Sequence, residues 1–351
     1  MSTNVFVTFY LKFQMGKRSG TRNKKKTSEV KCSCLLFAEE ANFTLLIPYL
    51  SKLSPDIISN ELPAGELQAG QANVPGMLIP AAQEILFRVI HMITRELEAN
   101  AYFETISETN IVITESDLPK MMKNTLKEAS HDKEVARNKK RDNVHQLRDM
   151  IDRVLIATSL LYQGNRRINP ELRHLLGLMR DYEAGKCLFL IKYPFCLIPV
   201  SNRGQAYIQL YDRTMDVLRT NDPVAYVLVV MGVEVPDDWA TKCLGNEQLA
   251  DSLRRGDYDL HATRNPGTTE PRLIPLKYLR NRPSHSQEGA AAPLTARGVK
   301  FTPADLARSL YIRFPMAFVS IQKALHFVGE LQKIEGFIDL FPGRLRIPRN
   351  H

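Results

Sequence analysis

Residues 78 to 126 decide the fold: "LIPAAQEILFRVIHMITRELEANAYFETISETNIVITESDLPKMMKNTL". Pro80 suits the first turn of a helix, where its missing N–H is not needed. After it, apolar residues recur at steps of three and four, which is the spacing of one helix face. These residues are Ile85, Leu86, Val89, Ile90, Ile93, Leu97, Ala101 and Ile106. The pattern predicts one long helix of about 27 residues, from Pro80 to Ile106.

Shorter elements flank this helix on both sides. The stretch "NFTLLIPYLSKLSPDI" predicts a short amphipathic helix from about Phe43 that ends before Pro55. Residues 60–76 carry prolines and glycines and are expected to form a loop. The β-branched residues 111–113 are too short for a sheet of their own, and the N-cap residues after them predict a last helix, Asp117 to Glu128.

The second half of the chain is also expected to be helical. Residues 129–166 begin charged and become amphipathic, which predicts a further helix. Residues 168–185 begin with a proline-led turn, and 206–220 continue as a helix that must break or be shorter because of Pro223. Residues 234–253 contain another helical stretch.

The two ends of the chain differ in composition from its middle. Residues 12–31 hold eight lysines or arginines, a single acid and almost no large apolar side chain, which predicts a disordered basic tail. Residues 280–298 are a linker by composition. Beyond them, two helices are expected, split near Pro315.

Several segments resemble histones. "YLSKLSPDIIS" and "PAAQEILFRVIHMITRELEANA" are similar to the end of the first helix and to the central helix of histone 2B. "INPELRHLLGLMRDYEAG" is similar to the start of histone 2A, and "EVPDDWATKCLGNEQLADSL" to its third helix and docking segment. Over roughly residues 43–278 the chain therefore resembles the fused histone doublets of giant viruses of the marseillevirus type.

The resemblance implies a fold and a division into domains. The fold class would be mainly α, with two tandem histone folds of short, long and short helices that pair as an intramolecular handshake. A disordered basic tail would occupy residues 1–40, a histone 2B-like fold with an extra C-terminal helix 41–166, and a histone 2A-like fold with its docking tail 167–279. Residues 280–351 would be a linker and a helical extension.

The same resemblance implies a function. The protein would bind and compact duplex DNA without sequence specificity, as part of a nucleosome-like particle of viral chromatin. Its partners would be duplex DNA and other histone-like proteins that form a tetramer. Its location would be inside the cell, in the virion, the virus factory or the host nucleus.

The charge of the chain supports a polyanionic partner. Lys and Arg number 47 against 38 Asp and Glu, giving a net charge of +9. The predicted nucleic-acid-binding residues are Lys17, Arg18, Arg22, Lys24, Lys25 and Lys26 in the tail, Lys139, Lys140 and Arg141 in a second cluster with Lys133 and Arg137, and Arg166, Arg167 and Arg173. The alternatives are a solubility tail or nuclear import signal for the first cluster, and solvated surface charge for the others.

Two other classes of protein fit the sequence. A nucleocapsid or coat protein of an RNA virus would be mostly helical, of this size, with a basic arm and no catalytic motif. An interaction module without nucleic-acid binding would fit the acidic loops that replace the basic loops of histones. These acids are Glu108, Glu115, Asp117, Glu234, Asp237 and Asp238.

The sequence predicts no catalytic site, metal site or cofactor. "GKRSGT" lacks the glycine spacing and the hydroxyl residue after lysine that a phosphate-binding loop needs. The five cysteines include no pair at zinc-ligand spacing and favour a reducing compartment. His91 is expected to be packed or half-exposed rather than catalytic, and Cys187 and Cys196 to be core thiols. No run approaches the roughly 20 apolar residues of a membrane span, so no membrane partner is expected. Because no catalytic motif is present, no small-molecule substrate is expected either.

Overall fold

The computed structural model describes residues 42–66, 75–122, 126–128, 132–159, 169–183, 186–255, 273–285, 298 and 300–342. These residues are mainly helical, as the sequence predicts. The helices are α1 (Leu46–Leu53), α2 (Pro80–Glu98), α3 (Lys133–Thr158), α4 (Pro170–Arg180), α5 (Leu188–Lys192), α6 (Val200–Asp212), α7 (Arg219–Asn221), α8 (Pro223–Gly232), α9 (Trp239–Cys243), α10 (Glu247–Arg255), α11 (Leu273–His285), α12 (Pro303–Arg313) and α13 (Ala317–Phe327). A π-helical segment, Arg213–Leu218, joins α6 to α7, and 3-10 turns lie at Phe195–Leu197, Leu331–Lys333 and Phe337–Leu340.

Short strands accompany the helices of the first half. They are β1 (Phe43–Leu45), β2 (Ile58–Ser59), β3 (Met77–Leu78), β4 (Ala101–Phe103), β5 (Ile111–Thr114), β6 (Pro119–Met121) and β7 (Leu126–Glu128). They form a three-stranded sheet in the order β1-β5-β6 and two-stranded pairs β2-β3 and β4-β7, all antiparallel. Residues 111–113, expected to be too short for a sheet of their own, lie in the central strand of this three-stranded sheet. Phe43–Leu45 and Pro119–Met121 supply the partner strands on either side.

The prediction of a helix from Asp117 to Glu128 is wrong. After β5 the chain turns back within a few residues: the Leu118 carbonyl accepts a hydrogen bond from the Thr114 N–H at 3.0 Å, and Asp117 adopts a left-handed backbone with φ of 58°. Pro119 then begins β6. The left-handed backbone of Asp117 disfavours a helix beginning at this residue, and burial of all four β5 side chains stabilises the hairpin.

The long helix is shorter than predicted. Helix α2 has 19 residues and ends at Glu98, and Asn100 just beyond it has a left-handed φ of 64°. Residues 101–103 then pair as β4 with β7 instead of continuing the helix to Ile106. The apolar spacing does not show where the helix ends. Ala101 and Ile106 continue the helical spacing, although Ala101 lies in β4 and Ile106 in the loop after it.

Several helices agree with their predictions. Helix α3 lies within the predicted 129–166, and the side chain of Asp132 caps it by accepting from the N–H groups of Glu134 and Val135. Residues Val200–Asn221 run as α6, the π segment and α7, then break as expected; Asp222 caps α8, whose first residue is Pro223. Helices α12 and α13 are separated near Pro315, as predicted. Helix α11, however, extends to His285, into residues assigned to a linker.

The two helices that were expected to cross in a histone handshake, α2 and α6, make their main contacts with other helices. Helix α2 packs chiefly against α5, α3 against α4, and α6 against α11 and α12. One continuous hydrophobic cluster includes side chains from Leu46 to Phe341. A handshake of two histone folds is not confirmed by these contacts.

Candidate nucleic-acid interface

The N-terminal half of α3 concentrates positive charge on one side of a helix. Lys133, Arg137 and Arg141 follow one another at intervals of four residues, so their side chains share a face. Further along the same helix Val144 and Leu147 are fully buried and hold it against the core. The first part of α3 therefore extends its cations away from the core.

These three cations line one recess. It has a volume of about 630 Å³ and is bordered by Lys133, Glu134, Arg137, Asn138, Arg141 and Glu183. No carboxylate in the part of the chain that the structure describes lies within ion-pair distance of the three cations. Unpaired cations around a shared opening can bind an anionic polymer without first breaking an internal salt bridge.

Lys139 and Lys140, predicted together with Arg141, face elsewhere. The Lys139 ammonium lies 6.0 Å from the centroid of the Tyr102 ring. Lys140 donates a hydrogen bond of 2.7 Å to the Asn100 side-chain oxygen. Burial lowers the pKa of Lys140, and the charge of Glu98 offsets part of that effect. These two lysines hold α3 to the turn before β4, so only Arg141 of the predicted three borders the recess.

The cationic surface continues beyond α3 through residues that the sequence did not single out. Lys186 forms an ion pair of 2.9 Å with Glu183, and a hydrogen bond from Lys186 together with the charges of Lys186 and Arg137 lowers the pKa of the Glu183 carboxyl. The His326 Nε2 lies 2.7 Å from the Lys186 carbonyl oxygen, which links this segment to the end of α13. More than 130 residues separate these partners in the sequence, so no local pattern could have indicated them.

Lys323 adds a further cation on α13. Burial, and then the charge of Lys323, lowers the pKa of His174 to about 4. His174 is therefore neutral at physiological pH, and the positive charge on this side comes from Lys323 itself. Lys323 has no carboxylate within ion-pair distance among the residues that the structure covers.

The remaining predicted residues fall in two groups. Arg173 is exposed on α4 but does not border the recess. Outside the described residues lie Lys17, Arg18, Arg22, Lys24, Lys25, Lys26, Arg166 and Arg167. For these the nucleic-acid role stays a prediction.

The acidic residues of the first predicted loop are engaged in internal contacts. Asp117 accepts a hydrogen bond of 2.6 Å from the Tyr49 hydroxyl. Burial, then this hydrogen bond, raises the pKa of Tyr49 to about 12. Glu108 pairs with Arg153 at 3.0 Å, and Glu115 accepts from the Asn42 amide at 2.9 Å. These acids therefore make internal contacts around β5 and the turn that follows it.

Cys187, Cys196 and the half-buried His91 are packed against neighbouring residues. Burial raises the pKa of Cys187 and of Cys196, so both thiols stay protonated. His91 packs beside Phe87 and Tyr193, and burial lowers its pKa to about 4. The expectation that His91 is a packed residue and Cys196 a core thiol is confirmed, whereas Cys187 is only half-buried.

Metal ligands, membrane spans and known relatives complete the description. Within the described ranges, no group of three or more His, Cys, Asp or Glu side chains could hold a metal ion. No helix in those ranges has the length and apolar character that crossing a membrane requires. No protein-family model matches the chain, and no curated protein matches it.

Proposed function

We propose that this protein binds nucleic acid through the phosphate backbone, without sequence preference, and that the basic face of α3 is one of its contact surfaces. The observation that carries this proposal is the recess of about 630 Å³ bordered by Lys133, Arg137 and Arg141, none of them ion-paired within the described chain. The net charge of +9 acts in the same direction over longer distances.

Binding of this kind has a measurable signature. Each phosphate neutralised by a lysine or arginine releases condensed counterions, so the logarithm of the binding constant falls with log salt by about 0.9 per phosphate on duplex DNA and about 0.7 on a single strand. Phosphate contacts carry no sequence information, so oligonucleotides of different sequence should bind alike.

The test compares two cations on the same helix. We expect Arg141→Gln to weaken oligonucleotide binding by the full-length protein and to reduce the salt slope by about one phosphate contact, because Arg141 borders the recess. Lys139→Gln is the matched control, since it removes the same charge from a side chain that lies over Tyr102. Fluorescence anisotropy over a salt series measures both.

Two outcomes would contradict this assignment. Equal losses in the two variants would mean that α3 carries general surface charge, and no loss in either would place the contacts elsewhere on the chain. Circular dichroism of both variants checks that the helix content is unchanged.

The resemblance to histone doublets makes compaction of viral duplex DNA, together with tetramer-forming histone-like partners, the first form of this function. The second form is a coat for a viral RNA genome, and one observation counts against the first form. The segment expected to be the third helix of the first histone fold is the hairpin of β5 and β6, so the short, long and short helix set is not complete there.

Nuclease protection separates the two forms. A histone-like particle, assembled with partner histones, protects a defined length of duplex DNA. A coat protein protects RNA in the absence of any histone. Protection of neither nucleic acid would count against genome packaging as a whole.

A further inference from the structure

The cationic recess on α3 continues toward an aromatic surface at the end of α13. Glu183 borders the recess and pairs with Lys186, and the Lys186 carbonyl lies within hydrogen-bond distance of the His326 ring. These contacts connect α3 and α13 along one side of the molecule. Lys186 offsets the negative charge of Glu183, and three cations against Glu134 and Glu183 leave the border of the recess positive.

The outward face of α13 combines a cation with rings. Lys323, His326 and Phe327 are spaced by three and four residues, so they lie on one side of the helix. The opposite side is formed by buried residues such as Ile321 and Leu325. Lys323 thus extends the row of unpaired cations that begins on α3.

The rings at this position form a platform that is open to solvent on one side. The His326 ring stacks on Phe189 with an interplanar angle of 5° and a centroid distance of 6.1 Å. The Phe327 ring lies 5.9 Å from His326, and 47% of its surface is exposed. Exposed aromatic rings beside cations provide a stacking surface for bases whose faces are accessible.

We propose that the surface formed by Lys133, Arg137, Arg141, Lys323, His326 and Phe327 binds single-stranded nucleic acid. This inference rests on the proposed function and specifies its ligand. The phosphates lie along the cations, and a base stacks on Phe327. A duplex keeps its base faces inside the helix, so it gains the phosphate contacts but not the stacking contact.

The experiment measures binding of a single-stranded oligonucleotide and of a duplex of equal length to the full-length chain, by fluorescence anisotropy at one salt concentration. We expect Phe327→Ala to weaken single-strand binding about tenfold and to leave duplex binding unchanged, because stacking on an aromatic side chain contributes only when a base is accessible. Phe327→Trp should retain the binding of the parent protein.

Three further variants make the result specific. Leu244→Ala is the matched control, since Leu244 is 48% exposed but lies at the end of α9 and outside this surface. Lys323→Gln should weaken single-strand and duplex binding alike. Phe327→Leu, which keeps an apolar side chain but no ring, should also weaken single-strand binding and leave duplex binding unchanged, so the site is still tested if Phe327→Ala unfolds.

The outcomes distinguish this inference from the proposed function. If the parent protein binds neither oligonucleotide, the proposed function itself fails. If it binds both and Phe327→Ala loses nothing, or loses equally on duplex and single strand, nucleic-acid binding stands and the single-strand site is overturned. A parent protein that prefers the duplex also overturns it.

Discussion

At the scale of single residues, Arg203 and Glu171 form the most deeply buried ion pair among the residues that the structure describes. Their side chains are 3% and 0% exposed, and the Arg203 Nη1 lies 2.9 Å from a Glu171 oxygen. Arg203 also donates to the carbonyl oxygens of Cys196 and Ile198, which accept from the Gln83 amide as well. The pair therefore fixes the irregular segment between α5 and α6 on the N-terminal part of α2.

Removing the arginine should be costly. We expect Arg203→Met to lower the free energy of unfolding by about 3–5 kcal/mol, because a buried carboxylate loses its counter-charge. Burial raises the pKa of Glu171, and Arg203 opposes that shift, so the pKa rises further in the variant. Chemical denaturation at pH 7 measures the loss.

The same variant should show a defined pH dependence. A carboxyl whose folded pKa lies above its unfolded value penalises folding when it is ionised, and the penalty disappears as the pH falls from the raised folded pKa to the ordinary value of 4.5. The difference in stability between the parent protein and Arg203→Met should therefore narrow on acidification. A gap that is constant or that widens toward pH 5 would contradict the assignment to Glu171.

At the scale of elements, the end of α2 depends on one backbone conformation. Asn100 has a left-handed φ of 64°, which asparagine and glycine adopt more readily than other residues. Its side-chain oxygen accepts from Lys140 on α3. The residue thus stops the helix and directs the chain into β4.

Two substitutions separate these roles. We expect Asn100→Ala to destabilise the protein by about 1 kcal/mol or more, because alanine lacks the short polar side chain that makes a left-handed backbone acceptable to asparagine, and it also loses the bond from Lys140. Asn100→Gly should stay within about 0.5 kcal/mol of the parent, because it relieves the backbone while losing only an exposed hydrogen bond. Thermal unfolding of both variants checks the order, and an alanine variant as stable as the glycine variant would refute it.

At the scale of the whole molecule, residues 61–66 connect the first half of the chain to α12 and to Asn246 in the second half. Arg313 on α12 donates to both oxygens of Glu66, at 2.9 and 2.8 Å, and to the Lys242 carbonyl. Asn246 is fully buried and donates to Ala64 and to Glu66. Arg308 on the same helix pairs with Glu61, whose side chain is 72% exposed.

The two arginines of α12 allow a matched comparison. Arg313→Met should lower the free energy of unfolding by about 3 kcal/mol or more, because the nearly buried Glu66 loses its counter-charge and the Lys242 carbonyl loses the Arg313 donor. Arg308→Met should cost less than about 1 kcal/mol, as solvent screens its pair. Urea denaturation gives both values, and similar losses would mean that the Glu66 contacts do not hold the two halves together.

Local patterns in the amino-acid sequence are sufficient to predict the helical class, the position of α3, the break at Pro223, the split near Pro315 and the packing of His91. Each of these follows from local spacing, capping or proline geometry, which act within a few residues. The sequence also indicates the charged start of α3, but not which of its cations share a surface.

The other features of the fold and of the surface depend on contacts between segments that lie far apart in the sequence. The partner that makes Ile111–Thr114 a central strand is Phe43–Leu45, almost seventy residues earlier, and strand pairing over that distance leaves no local signal. Local patterns also do not show that Arg141 borders the recess while Lys139 lies over Tyr102. Nor do they show the contact between the Lys186 carbonyl and the His326 ring. A surface is made of side chains that folding brings together, and periodicity within one segment carries no information about neighbours from another.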